Sequence, residues 1–318
     1  MSTNRNIANI KTSKKVKRVS KVRKKIRATK ATIIFNITGY FLVTFVAILC
    51  IIPFIMLISG AFTSEHAIAT YGYGIIPKEF SLSAFKLLLK YPQDIIRAYG
   101  VSIFITVTGT TLGLFLITMT AFVLSRKNFK YRNKISFFFY FTTLFNGGLV
   151  ATYIFMIRYL HLKDSYIALI LPLMFNVFYL LIMRSFIKSI PESIIESAAI
   201  DGAGYFTIFL KLILPLSKAG LATIGLFIAL EYWNDWYNSM LYIIDYKKFP
   251  LQYMLYNMLS STEAMSRISS TASVSAANMP SQSLKLAMAV VATGPIILVY
   301  PFVQKYFVKG ITVGAVKG

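Results

Sequence analysis

The chain has 318 residues, of which 56% are apolar and only 14% charged, with a mean hydropathy of +0.64 and a formal net charge of +23. A soluble chain carries about 25% charged residues, so this composition excludes an ordinary water-soluble domain and points to lipid as the solvent. A single cysteine, Cys50, excludes an intrachain disulfide, and His66 and His161, far apart in sequence, make no metal cluster.

Residues 1–30 form a basic arm with twelve lysines and arginines. In a soluble protein such an arm would suggest nucleic acid. Directly before an apolar run it reads instead as a positive-inside segment drawn to anionic lipid headgroups, so no nucleic-acid partner is expected. The run that follows is long and lacks an A-x-A-like cleavage site, which makes it a retained anchor. Spanning hydrocarbon takes about 20 apolar residues in a helix, because every backbone polar group must be bonded internally. Runs that satisfy this lie at 32–62, 98–124, 136–157, 165–187, 219–243 and 285–307. They predict an all-α integral membrane protein of six transmembrane helices, with the permease domain over 31–309. Pro53, Pro295 and Pro301 are read as kinks within spans.

Orientation follows from the flanking bases. The loop after span two holds Arg126, Lys127, Lys130, Arg132 and Lys134, the loop after span four Lys188, Lys211 and Lys218, and the tail Lys309 and Lys317. All fall on one side if both termini are cytoplasmic. Segments 63–97, 158–164 and 244–284 are then external, and the Ser/Thr/Ala-rich stretch 260–283 reads as an exposed loop open to an outside partner. In span three, Asn146, Gly147 and Gly148 allow close approach of a helix or a solute, with helix packing favoured. Asn176 in span four is a weaker lumen candidate.

Residues 188–219 are predicted to form a compact knob. Pro191 suits a first helical turn, and Glu192 suits the helix's positive end. A short helix to Ala199 or Ile200 stops at Asp201-Gly202, where glycine supplies positive φ. A second helix from Tyr205 to Leu214 breaks at Pro215. Ser197, Ala198 and Ala199 let a partner backbone come close, with Ile194, Ile195 and Phe209 as apolar contacts.

Glu196-Ser197-Ala198, then Asp201-Gly202-Ala203, followed by Phe209, Ile213, Leu214 and Pro215, resembles the EAA loop of bacterial ABC importer permeases. Ser197 replaces the alanine of the name motif, and Ala219 stands where sugar permeases often have proline. The likeness extends from about residue 30 onward. The tail from Tyr300 to Gly318, together with Arg97–Ser102, Phe145–Gly148, Asn278–Ser281 and Trp233–Trp236, is similar to maltose-type carbohydrate permeases and their oligosaccharide branch. The resemblance implies a type I importer permease fold in a bacterial cytoplasmic membrane. It further implies a coupling role for Glu196, Ser197, Ala198, Asp201, Gly202 and Ala203 against an ABC ATPase dimer, and a tail over 310–318 near the ATPase interface. A second permease subunit and an extracytoplasmic solute-binding protein are implied as further partners.

Span five carries Glu231, Trp233, Asn234, Asp235, Trp236 and Asn238. In a continuous helix at about 100° per residue, Glu231, Asn234, Asp235 and Asn238 share one arc, with aromatic rings around it. Carboxylates, amides and ring faces suit a sugar, and with Asn146 they form the substrate-path candidates. An interfacial aromatic belt is the competing explanation. No G-x-x-x-x-G-K-[S/T] loop occurs, so the chain is expected to hold no cofactor and to catalyse nothing, ATP and magnesium being bound by the partner ATPase. The expected function is half of the pore of an ATP-driven sugar importer, with an acidic oligosaccharide among the substrates that the resemblance suggests. An acidic sugar favours basic pore residues, yet span five offers Glu231 and Asp235. Alternatives are a permease for a non-sugar solute, a secondary transporter, which would require inverted repeats that are absent, and a membrane enzyme, which would require a catalytic cluster.

Overall fold

The computed structural model describes residues 30–90, 92–271, 282–295 and 297. The basic arm, the 272–281 stretch and the C-terminal tail, all given roles in the sequence reading, lie outside the described residues. The chain divides into two units, residues 1–55 and 56–318. The described part of the first is the opening stretch of α1 (Lys30–Ala61), which runs through Pro53 without ending, as a lipid-buried proline permits.

In the second unit the longest element is α4 (Pro92–Ser125), preceded by the short helices α2 (Glu65–Tyr71) and α3 (Ser83–Leu88). After α4 come α5 (Arg132–Leu144), α6 (Leu149–Tyr159), α7 (Ile167–Leu173), α8 (Val177–Lys188) and α9 (Glu192–Ile200). Then follow α10 (Tyr205–Leu216), α11 (Lys218–Asn234), α12 (Tyr237–Tyr242), α13 (Leu251–Thr271) and α14 over 282–295. Among the described residues there is no strand, only an isolated bridge between Thr63 and Phe80.

Among the described residues, only α1 and α4 are single helices long and apolar enough to cross a membrane. Expected spans three and four are instead bent, which corrects their reading as continuous helices, and a third bend falls just before expected span five, where α10 meets α11. The α5–α6 pair turns by 111°, α7–α8 by 56° and α10–α11 by 83°. Each break has a local cause. Gly148 takes φ +85 after Asn146, whose Oδ1 accepts from the Gly148 N–H at 2.9 Å. Asn176 ends the second break by capping α8, its Oδ1 accepting from Phe178 N–H at 2.9 Å, so this residue is a helix cap. At the third, α10 continues through Pro215 to Leu216 before turning at Ser217. Stretch 260–271, expected as a loop, is the second half of α13, and the sixth expected span begins with α14 and passes out of the described residues.

The core forms where α4 packs on α8 and α11. Ile117, Ala121 and Phe122 of α4 are buried with Leu180, Met183, Ile187, Ile224 and Ile228. In lipid such packing rests on close contact rather than on escape from water, so small residues decide it. Gly109 and Gly113, four apart on α4, do so here. A Cβ at Gly109 would intrude into the Tyr232 ring, and one at Gly113 would sit 2.7 Å from the Met174 carbonyl oxygen. The Tyr232 hydroxyl then donates to the Ile170 carbonyl at 2.6 Å, pinning α11 to α7. The other face of α4 exposes Ile103, Phe104 and Val107, a surface that suits hydrocarbon and would be a liability in water.

Candidate functional site

The turn of the knob between α8 and α11 forms as its sequence predicts, although α10 runs past the break expected at Pro215. α9 ends at Ile200 with Asp201 as cap and Gly202 at φ +82. The Gly202 N–H donates to the Ala199 carbonyl at 3.1 Å and the Ala203 N–H to the Ala198 carbonyl at 3.0 Å. This pair of bonds is the Schellman arrangement, which satisfies the last carbonyls of a helix and requires a left-handed residue between them. Ala198 and Ala203 both pack against the main core, closing the turn.

The structure reassigns the apolar residues of the knob. Ile195 and Phe209 are buried at 3% and 1% exposure, so they anchor the knob rather than greet a partner. Phe209 sits with ring centroids 5.8 Å from Phe115 and 5.9 Å from Phe122. A π-helical turn over Phe209–Ile213 places both Phe209 and Ile213 inward. Outward stand Glu196, Ser197, Asp201 and Gly202, beside the exposed apolar groups of Ile200, Tyr205 and Phe206. Ile200, 86% exposed, is a further apolar group on this outer face that the sequence did not single out.

A brace for this knob was also missed. Glu192, first residue of α9, accepts from Lys127 Nζ at 2.9 Å and lies 3.9 Å from Arg126 Nη2. The Lys127 contact holds the Glu192 carboxyl below the ordinary carboxylate range, and the same contact raises the Lys127 ammonium. The charge run at 126–127 was visible in sequence, but its partner 65 residues on was not.

The span-five candidates separate at a second break. α11 ends at Asn234, and Asp235 is extended at φ −77, ψ 99, so a single helical arc does not carry all four polar residues. Glu231 accepts from the Tyr179 hydroxyl at 2.6 Å. Asp235 accepts from the backbone and side-chain nitrogens of Asn238 at 3.1 and 2.9 Å, which starts α12. Trp233 is buried, and its indole N–H donates to the Ala292 carbonyl on α14 at 3.2 Å. Trp236 is the exposed ring of the group, stacked on Tyr256 at 4.4 Å. Asn234 is exposed, and Gln252 Nε2 lies 3.5 Å from its Oδ1. Asn146 stands apart at the α5–α6 break. Among the described residues of this chain, nothing beyond their own neighbours lies within 4 Å of a Cβ built at Gly147 or Gly148, so no helix of this chain packs closely on them.

Comparison with known proteins places this architecture. Residues 109–313 match the family described as binding-protein-dependent transport system inner membrane component. The chain is 40% identical over 290 residues to Protein LplC of Bacillus subtilis, covering 91% of this chain and 97% of that one. It is likewise 40% identical over 286 residues to the polygalacturonan/rhamnogalacturonan transport system permease protein YtcP of the same organism, covering 90% and 99%. A crystal structure of a bacterial ABC transporter involved in import of the acidic polysaccharide alginate contains a chain that is similar at TM-score 0.73 and 29% identity. That match covers 88% of this chain and 98% of the other. With a helical bundle, a Schellman-capped knob and a family match over most of its length, the chain belongs to the binding-protein-dependent transport system inner membrane components, the membrane-embedded permease subunits of ABC transporters whose ATP is hydrolysed by a separate subunit.

Proposed function

We propose that this chain forms half of the translocation pore of an importer for an acidic oligosaccharide of the kind released from pectin- or alginate-like polysaccharides. The observation that carries this is the 40% identity, over nearly the full length of both chains, to a permease of polygalacturonan/rhamnogalacturonan transport. Similarity to a chain of the alginate importer supports it. The apparent conflict with Glu231 and Asp235 weakens once their partners are known. Each carboxylate is already engaged by a neighbour, Tyr179 or Asn238, and is therefore a structural acceptor more than a free anion facing a solute.

In this proposal the knob side is cytoplasmic and both termini lie on that side. Glu196, Ser197, Ala198, Asp201, Gly202 and Ala203 form the surface that meets one subunit of an ATPase dimer, which holds the ATP and magnesium. A second permease completes the pore, and a solute-binding protein delivers the sugar from outside. ATP binding closes the ATPase dimer, displaces the knob and rocks the bundle, an interface rotation between rigid bodies. Trp236, with its exposed ring, and Asn234 and Asn238 are the side chains of span five proposed to meet the sugar. The test is uptake by the complete transporter in proteoliposomes. A digalacturonate should compete with the transported substrate, whereas a neutral arabino- or malto-oligosaccharide should not. Competition by neutral sugars alone would reject the acidic assignment while leaving the permease role intact.

A further inference from the structure

A cleft of about 610 Å³ opens beside the knob, where the end of α8 meets the starts of α5 and α9. Five basic side chains line it, Arg126, Lys127, Arg132, Arg184 and Lys188, with Glu192 the one carboxylate in its wall. Lys127 is engaged by Glu192 at 2.9 Å. The two inner arginines are not fully partnered. Arg126 has a side chain 14% exposed, its Nη2 lies a long 3.9 Å from Glu192, and its buried Nε meets no acceptor among the described residues. Arg184 donates from Nη1 to Ser136 Oγ at 3.0 Å, while its buried Nε is also without an acceptor.

A buried charged donor left unpaired is costly, and five cations around one carboxylate repel one another. An anion in the cleft relieves both. Guanidinium forks match phosphate and carboxylate oxygens alike in a bidentate way, but a phosphate group has more oxygens and can meet two forks at once, which a halide cannot do. Arg132 and Glu192 are also the first residues of α5 and α9, so the positive ends of two helices reach the same cleft. We propose that this cleft is a binding site for a phosphate group, carried either by an anionic phospholipid or by a free phosphate compound. Because Glu192 opens α9, an occupant joins the α4–α5 loop, the end of α8 and the knob helix into one unit and stiffens the coupling surface.

The experiment uses the complete transporter, delipidated in detergent, with two probes. Native mass spectrometry counts phosphatidylglycerol retained after back-addition, with phosphatidylcholine as the comparison, and equilibrium binding of radiolabelled inorganic phosphate is measured without lipid. The variants are R126Q/R184Q and, as a charge control on the same loop but outside the cleft, K130Q. Loss of the two forks should reduce occupancy by at least about tenfold, a change of ~1.4 kcal/mol, while K130Q stays near wild type. Phosphatidylglycerol retention that excess phosphate does not displace assigns a lipid headgroup. Saturable phosphate binding in the absence of lipid assigns a free compound. If the double variant does not assemble, K188Q in the cleft wall should still lower occupancy several-fold relative to K130Q, and equal occupancy in the two overturns the proposal. The proposal is overturned if the wild type binds neither probe, or if the assembled R126Q/R184Q retains whichever probe the wild type binds.

Discussion

Replacing Gly202 by valine perturbs the knob proposed to couple to the ATPase, at a point where the cost can be worked out. The residue holds φ +82, and a Cβ built there meets nothing within 4 Å, so the penalty is conformational and not a clash. A left-handed conformation costs an L-residue about 1–2 kcal/mol, and a β-branched side chain lies at the upper end. Asparagine tolerates the region and should cost least. The chain escapes the strain by giving up the two bonds that Gly202 and Ala203 make to Ala199 and Ala198, which unwinds the last turn of α9 and displaces Glu196 and Ile200. At about 1.4 kcal/mol per factor of ten, the intact knob falls roughly tenfold in population against its unwound form in G202V. The assay is substrate-stimulated ATP hydrolysis and uptake by the reconstituted transporter, with thermal unfolding of the membrane domain alongside. G202V should lower coupled uptake several-fold at unchanged melting temperature, with the order glycine, asparagine, alanine, valine. Wild-type coupling in G202V, or asparagine as damaging as valine, would refute the Schellman cap as the device that shapes this surface.

Other expectations follow from packing and charge. W236A should raise the KM for uptake with assembly intact, whereas W233A removes a buried ring bonded to Ala292 and should cost about 3–5 kcal/mol of stability, read by detergent-solubilised unfolding. G113A sets a Cβ 2.7 Å from the Met174 oxygen, so α4 and α7 must part by about 0.6 Å to reach a normal C···O distance, and the variant should lose about 1–3 kcal/mol. Asp164 accepts from Lys248 Nζ at 2.8 Å and from the Asp245 and Ile244 N–H groups, which hold its carboxyl down to about 2. Its native value is depressed, so its stabilisation is present above the ordinary carboxylate value of about 4 and is lost as pH falls toward 2. D164N should therefore be less stable than wild type by about 1 kcal/mol at pH 7, the exposed part of the pair being screened, and the two should converge near pH 2.

The turn of the knob was legible in sequence because its signals are local, whereas the brace from Lys127 to Glu192 was not. Pro191, Glu192, Asp201-Gly202 and the small residues between them lie within one turn or two of the position that each controls. The bent spans were not legible, because hydropathy counts apolar residues without asking whether one helix axis carries them. Asn146-Gly147-Gly148 and Asn176 are turn and cap residues on the page, but in an apolar run they read equally well as packing or lumen groups. At span five the expected arc assumed that α11 continued past Asn234. The extended Asp235 ends it there and sends Trp233 inward, an outcome fixed by α14 about 60 residues away. The basic cleft is the clearest case of what tertiary structure adds, since Arg126 and Arg184 are 58 residues apart and neither is conspicuous beside the many other bases.

If this chain works only as the membrane half of an ATP-driven assembly, isolating it from its native membrane should bring the rest of that assembly with it. One ATPase, a second multi-span permease and a solute-binding protein should come with it, and uptake should stop when ATP is depleted. Recovery of the chain alone, with uptake persisting after ATP depletion, would contradict it.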